Sequence, residues 1–459
     1  MRWPTGYTTN ERKLLMLSRT DIHPYQERVI HLAGKLKHMG LFMEPGLGKT
    51  ATALTIIKES SSGPTLVVAP KRVAESVWAQ ECQKWKHLKD MRVVKIMGPP
   101  KDRLTALYTE ADIYIINVDN VAWLVDNWVE GRFKNLIIDE SSRFKDPSTK
   151  RFKALKKVLR SFDRRIIATG TPTPQGYGDL WSQVAILDLG ERLGSSLTKF
   201  RDTFMYASER NRHTGVVYKW DLKPNMADVI QKKIEDICFS MKAEDYLTLP
   251  KLSKIYHSIE LDKDVMQQYK QLKKEMVSEI DGEQITAVTA AALANKLLQF
   301  TSGTLYTEDG YTALAHTTKV EFLESIMEEN QAPALVFYHY KTALAKLKEA
   351  FPYAEELTDS NIERWREGKV RMMLAHPQSG GIGLNLQCNT GDVAQVVWYD
   401  LPWSSENYIQ ANARVYRQGQ TKPVLLHHLI AAHTIDGQVV DVLEGKVTAQ
   451  EALLNALKL

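Results

Sequence analysis

Residues 43–50 read Met43-Glu44-Pro45-Gly46-Leu47-Gly48-Lys49-Thr50, with an apolar segment before them and the helical pattern of 51–58 after them. Two glycines, a lysine and a hydroxyl at that spacing suit phosphate. The glycines let backbone N–H groups curl around a β-phosphate, Lys49 neutralises β and γ oxygens, Thr50 offers a hydroxyl to Mg2+, and the helix N-terminus adds its positive dipole. Gly46, Leu47, Gly48, Lys49 and Thr50 are therefore candidate nucleotide binders. The strict phosphate-loop pattern asks for glycine at 43, where this chain has Met43; a Gly-rich strand-to-helix turn with an exposed lysine is the plain alternative. Ninety residues after Lys49, the run from Leu136 to Glu140 sets two carboxylates at the end of an apolar strand, where α/β sheets present catalytic groups. Asp139 suits Mg2+ held through water, and Glu140 suits a base that orients and deprotonates an attacking water. Acids ending a strand also cap helices. Loop and acids together point to hydrolysis of ATP or GTP.

A third cluster lies near the C-terminal end. Ser404-Ser405-Glu406 reads as the cap of a helix expected to run to Gly419, with Trp403 just before it. On that helix Gln410, Arg414 and Arg417 fall at i, i+4 and i+7 and would share a face. Two arginines aimed together suit a γ-phosphate whose charge grows in the transition state; a solvated helix face is the alternative. Ahead of it, 379–385 is a glycine turn suited to phosphate, or a flexible loop. His427 and His428 point to opposite faces of an expected strand with no acid or thiol nearby, which argues against a metal site. Cys82, Cys238 and Cys388 form no C-x-x-C, so neither a disulfide framework nor a zinc knuckle is indicated.

The elements that must position these residues show as apolar runs at 65–70, 113–118, 135–140 and 165–170, and again at 333–338, 370–375, 393–399 and 423–430, with helical patterns between. Buried parallel strands read this way, and two α/β units follow. Between them the strand rhythm lapses into helical patterns at 263–280 and 284–300. The expected division is a first lobe over 1–188, a mainly helical insertion over 189–315 and a second lobe over 316–459. A length of 459 residues exceeds what one core serves, and 44% hydrophobic with 25% charged residues excludes wholesale disorder. No run reaches the roughly 18 apolar residues of a bilayer span, and the N-terminal residues lack a secretory apolar stretch, so no membrane partner and an intracellular setting are expected.

The net charge of +5 is mildly basic, and its distribution is uneven: Ser141 to Arg165 carries ten basic residues against two acids. Within it, Phe152, Leu155, Leu159 and Phe162 form a core stripe that leaves the lysines outside. That suits a polyanion such as DNA, or a solvated basic face. The 204–220 stretch, with His213-Thr214-Gly215, reads as a hairpin that either touches DNA or packs.

With these segments in view, the chain resembles the Swi/Snf-like branch of the superfamily-two helicases. Matching segments occur in the family's order: His23-Pro24-Tyr25-Gln26, Gly46 to Thr50, Asp139-Glu140-Ser141-Ser142, Thr169-Gly170-Thr171-Pro172, Val336-Phe337, Gly380 to Asn385, and Gln410-x-x-x-Arg414-x-x-Arg417-x-Gly419-Gln420. The resemblance covers about 20–440. It implies two RecA-like lobes with parallel sheets, ATP and Mg2+ as cofactors, Gln26 reading adenine, Gln410, Arg414 and Arg417 serving the phosphates, and Lys71, Arg143, Lys145 and Ser379 contacting a DNA backbone. Met43-Glu44-Pro45 departs from the family's usual Asp-Glu-Met, and two serines end the acidic motif without the common His. Compact members of this kind occur in phages and bacteria, which implies the cytoplasm of a bacterial or phage-infected cell, with targeting left to a protein partner or DNA structure. The leading expectation is an ATP-driven motor on double-stranded DNA. A strand-separating helicase on branched DNA or RNA shares every ATP motif, and an ATP-switched DNA clamp with little turnover is the reading from another class.

Overall fold

The computed structural model describes residues 16–60, 63–174, 176–210, 215, 217–278, 287–306, 312–380 and 384–446. The chain divides into two compact units, Met1–Tyr246 and Leu247–Leu459.

The strands of the first unit are β1 (His38–Met43), β2 (Thr65–Ala69), β3 (Val93–Ile96), β4 (Ile113–Asn117), β5 (Asn135–Asp139), β6 (Arg164–Thr169), β7 (Met205–Arg210), β8 (Val217–Leu222) and β9 (Cys238–Met241). Seven form one sheet in the order β3-β4-β2-β5-β6-β1-β9, with every pairing parallel. Strands β2, β4 and β6 are buried along their whole length, which is why β2, β4 and the Ile166–Ala168 part of β6 read as apolar runs. β7 and β8 form the expected antiparallel hairpin; His213 and Thr214 lie outside the described residues.

In the second unit, β10 (Leu252–Ile259), β13 (Ala334–Phe337), β14 (Glu355–Glu356), β15 (Met372–Ala375), β16 (Ala394–Trp398) and β17 (Val424–Ala431) form a parallel sheet in the order β10-β17-β16-β13-β15-β14. β11 (Thr304–Tyr306) and β12 (Thr312–Leu314) pair antiparallel. Behind the strand tips sits a buried ion pair, Lys319 Nζ to Asp436 Oδ2 at 2.6 Å, both side chains 2% exposed. Asp436 also accepts from Thr301 Oγ1 at 2.7 Å and from the Ala431 N–H at 3.0 Å, so its lone pairs are used. A buried pair is tolerated only when satisfied in this way.

Two expectations change. The 189–315 span does not stand apart as an insertion: its β9 closes the first sheet beside β1, and its β10 closes the second beside β17. Edge strands are covered on fewer sides than central ones, so their mixed burial lacks the apolar run that marks the centre of the sheet. The basic run also splits. The stripe Phe152, Leu155, Leu159 and Phe162 is buried and Lys153, Lys156, Lys157 and Arg160 are exposed, but Arg164 and Arg165 are buried within β6. Arg164 donates to the carbonyls of Ala33, Leu36 and Ser60 at 2.9–3.0 Å, and Arg165 to that of Leu159 at 2.9 Å. Both tie loop ends together. Among the described residues no helix is long and apolar enough to cross a membrane.

Candidate nucleotide-binding site

Parallel register decides which residues meet in the first unit. β5, β6 and β1 are neighbours, with Asp139 beside Ala168 and Thr169 beside Phe42, so the acidic pair, Thr169 and the glycine loop leave the sheet at one edge. The loop after β1 turns through Gly46 (φ 93°) and Gly48 (φ 73°) into the helix Lys49–Ser60. At Gly48 the left-handed backbone demands glycine, and a Cβ there would also press on the tip of Gln26, 2.5 Å from Nε2. Gln26 is 3% exposed and donates to the Gly48 carbonyl at 3.2 Å and to Thr52 Oγ1 at 3.0 Å. Tyr25 donates to the Leu47 carbonyl at 3.3 Å. The helix Pro24–Ala33 is thereby tied to the loop's backbone. Leu47 is buried and Thr50 half-buried, while Lys49 Nζ donates to the Met43 carbonyl at 2.7 Å.

The departures from the family pattern find structural employment. Glu44 accepts from the Ala243 N–H at 2.7 Å, joining the loop to the chain after β9. Pro45 packs on Gly170, where a Cβ would come within 2.7 Å of its Cδ.

Asp139 ends β5, and Oδ2 accepts from the Trp78 indole at 2.9 Å. Glu140 comes next, in the left-handed region (φ 61°, ψ 62°), sparsely used by residues other than glycine and frequent at functional sites. Its Oε1 accepts from Thr169 Oγ1 at 2.5 Å and from Ser142 Oγ at 3.1 Å. Ser141 donates to Gln183 Oε1 at 2.7 Å, and Gln183, fully buried, donates to the carbonyls of Pro172 (2.6 Å) and Asp179 (2.8 Å). Residues 139–142 and 169–172 are thus clasped twice.

In the second unit the helix beginning at Ser405 ends at Asn412, short of Gly419, and Arg414 and Arg417 lie in the turns beyond it. They do not share a helix face with Gln410, as the i, i+4, i+7 spacing suggests. Side chains from 385–389 hold the turns instead: Gln387 Nε2 donates to the carbonyls of Arg417 (2.9 Å) and Gln418 (3.1 Å), and Asn389 Nδ2 to that of Gly419 (3.1 Å). The Leu386 N–H donates to the Arg414 carbonyl at 3.0 Å. Gln410 is buried and donates to Glu406 at 3.2 Å. Ser379 lies in the short helix Pro377–Gly380, and 381–383, the middle of the glycine turn, fall outside the described residues. His427 Nδ1 meets His257 Nε2 at 2.9 Å, and His428 Nε2 meets Tyr408 Oη at 2.7 Å.

Residues 25–303 match the SNF2-related domain, and 318–419 match the helicase conserved C-terminal domain. The chain belongs to the SNF2-related helicase family. Protein p41 of Acyrthosiphon pisum secondary endosymbiont phage 1 is 35% identical over 95% of this chain and 98% of its own length. The SWI/SNF-related matrix-associated actin-dependent regulator of chromatin subfamily A-like protein 1 of Xenopus laevis is 26% identical over 93% of this chain. YwqA of Bacillus subtilis (strain 168) is 24% identical over 97%. This chain spans 43% and 50% of the length of those last two relatives. As an SNF2-related protein it is a helicase-like hydrolase, a DNA-dependent ATPase whose two α/β units are the family's two lobes.

The first SNF2-related lobe fits the nucleotide and metal its family uses. Mg2+ keeps several waters and takes one or two carboxylates plus phosphate oxygens rather than an all-protein cage. Asp139 at a strand end and Thr50 in the first turn of the helix Lys49–Ser60 match that donor set; among the described residues no group of three or more His, Cys, Asp or Glu makes a closed cage. Of the residues expected on DNA, Lys71 and Arg143 are exposed, whereas Lys145 is half-buried and pairs with Asp179 at 3.8 Å. Trp78, Gln183 and Gln387 carry no signal in the motifs. A tryptophan with an acid three residues later, in a helix, reads as packing until its partner is known.

Proposed function

We propose that this chain is an ATP-driven motor that tracks along double-stranded DNA without full strand separation. What supports it most is the convergence, at one edge of the first sheet, of the glycine loop, Asp139-Glu140 and 169–172, cross-linked through Thr169 and Gln183. In this reading Gly46 to Thr50 bind the phosphates, Gln26 recognises the adenine, and Thr50 and Asp139 hold Mg2+. When bound, Mg2+ neutralises phosphate charge and orients the terminal phosphoryl group. Glu140 takes the proton of the attacking water, and its link to Thr169 fixes the carboxylate that does so. Arg414 and Arg417, in the turns that follow the helix Ser405–Asn412, supply guanidinium charge to the transition state, and Gln410 on that helix serves the nucleotide.

Lys71, Arg143, Lys145 and Ser379 contact the DNA backbone. Phosphate contacts read no sequence, as a motor moving along any duplex requires. The motor acts in the cytoplasm of a bacterial or phage-infected cell, directed by a protein partner or by DNA structure; the phage source of the 35% identical relative is in keeping with that setting. The deciding experiment measures ATPase rate against duplex, single-stranded and forked DNA, with triplex displacement as the readout of movement. Duplex should raise the rate many-fold, steeply less so as salt rises, and displace the third strand. A rate indifferent to nucleic acid sinks the motor; stimulation without displacement favours the clamp, and unwinding of forks favours the helicase.

A further inference from the structure

Trp78 belongs to none of the motifs that carry the resemblance, yet its ring is 1% exposed and its indole N–H donates to Oδ2 of Asp139. A hydrogen bond to a carboxylate is stronger than a neutral one, and strongest where water is excluded. The indole therefore restrains the Oδ2 side of the Asp139 carboxylate.

The backbone leading to Trp78 is unusual. β2 ends at Ala69, and Pro70, Lys71 and Arg72 come next; because Val68 pairs with Ile138, this segment and Asp139 leave adjacent strands at the same edge. Val73–Val77 then forms a π-helix, which passes without a break into the helix Trp78–Lys84. A π-turn is one residue wider than an α-turn, rare, and frequent at functional sites. It is held by the Ala74 N–H on the Pro70 carbonyl at 2.9 Å, by Ser76 Oγ on the Arg72 carbonyl at 3.1 Å, and by Lys95 Nζ on the Glu75 carbonyl. Tightening it to an α-turn changes the rotation at which Trp78 leaves it.

We propose that Trp78 is a positioning residue that couples DNA contact at Lys71 to the setting of Asp139, with the Val73–Val77 π-turn as the adjustable joint. This rests on the motor reading, in which Lys71 meets the DNA backbone and Asp139 serves Mg2+.

The test compares wild type with Trp78→Phe, which keeps an aromatic ring and removes the donor, and with Lys95→Met, which releases the π-turn from an exposed position. Three quantities are read: melting temperature, the Mg2+ concentration that half-saturates binding of a fluorescent ATP analogue without DNA, and the ratio of duplex-stimulated to basal ATPase rate. Trp78→Phe should need about tenfold more Mg2+, the scale of one lost charge-assisted hydrogen bond, and should lose most of the duplex stimulation. Lys95→Met should keep the wild-type Mg2+ requirement and shift only the ratio. Trp78→His, which retains a ring N–H, should recover part of both. A folded Trp78→Phe with wild-type Mg2+ dependence and wild-type stimulation overturns the proposal. Should Trp78→Phe fail to fold, an unchanged ratio in Lys95→Met overturns it instead. A wild-type enzyme that duplex does not stimulate marks failure of the motor reading, whereas a stimulated wild type with unaffected variants marks failure of this inference alone.

Discussion

Thr169, the last residue of β6, donates its hydroxyl to Oε1 of Glu140, the first residue after β5, at 2.5 Å. The Thr171 N–H donates back to the same hydroxyl at 3.1 Å, so the contact anchors the turn over 169–172 as well as the carboxylate. Thr169→Val keeps the shape and removes both bonds. Turnover should fall by about tenfold or more while ATP affinity stays within about twofold, since the hydroxyl positions the base and does not touch nucleotide. Equal kcat in the two proteins would show that Glu140 is held from elsewhere.

Glu140→Gln separates binding from chemistry. The amide preserves size and hydrogen bonding but cannot accept a proton, so ATP and DNA binding should persist with turnover slowed roughly 10²- to 10⁴-fold. Single-turnover hydrolysis at wild-type speed would place the base on another residue.

Lys49→Ala should abolish Mg2+-dependent hydrolysis and leave the melting temperature nearly unchanged. Its ammonium, now on the Met43 carbonyl, is half-buried at a helix start and removes no core volume when lost. DNA binding without nucleotide should survive. Hydrolysis within about twofold of wild type would remove 46–50 from the site.

Arg417→Ala should bind nucleotide with near wild-type affinity and lose most DNA-stimulated hydrolysis, because a guanidinium that acts on transition-state charge contributes little to the ground state. Its backbone carbonyl already accepts from Gln387, so the turn itself should stay in place without the side chain. Normal turnover per folded molecule would end its assignment as the arginine that serves the phosphates.

Stability should decline on acidification. Burial pushes His316, His427 and His428 down to about 4, against about 6.5 in an unfolded chain. Between those values the unfolded chain binds more protons than the folded one, so the stabilisation is complete above about pH 6.5 and is lost as pH falls toward 4. Melting temperatures at pH 7.5, 6 and 5 should fall in that order; a flat or rising series contradicts it.

Much of this protein was legible in the residues alone. Central strands buried from both sides are mostly apolar, so β2, β4, β5 and β6, and β13, β15, β16 and β17, announced themselves, as did the glycine loop and the acids, whose chemistry tolerates few other residue types. Tertiary structure decided the rest. Edge strands β9 and β10 lack a continuous apolar run, and only pairing shows which sheet each one completes. Spacing at 410, 414 and 417 implied one helical face, but the helix stops at Asn412, and bonds from Gln387 and Asn389, far back in the chain, shape the turns that carry Arg414 and Arg417. Arg164 and Arg165 looked like part of a basic surface, whereas loop carbonyls made them interior. The bond from Trp78 to Asp139 spans 61 residues and exists only because β2 and β5 lie side by side. Local sequence sets what each residue can do, while parallel register between distant strands sets which of them meet.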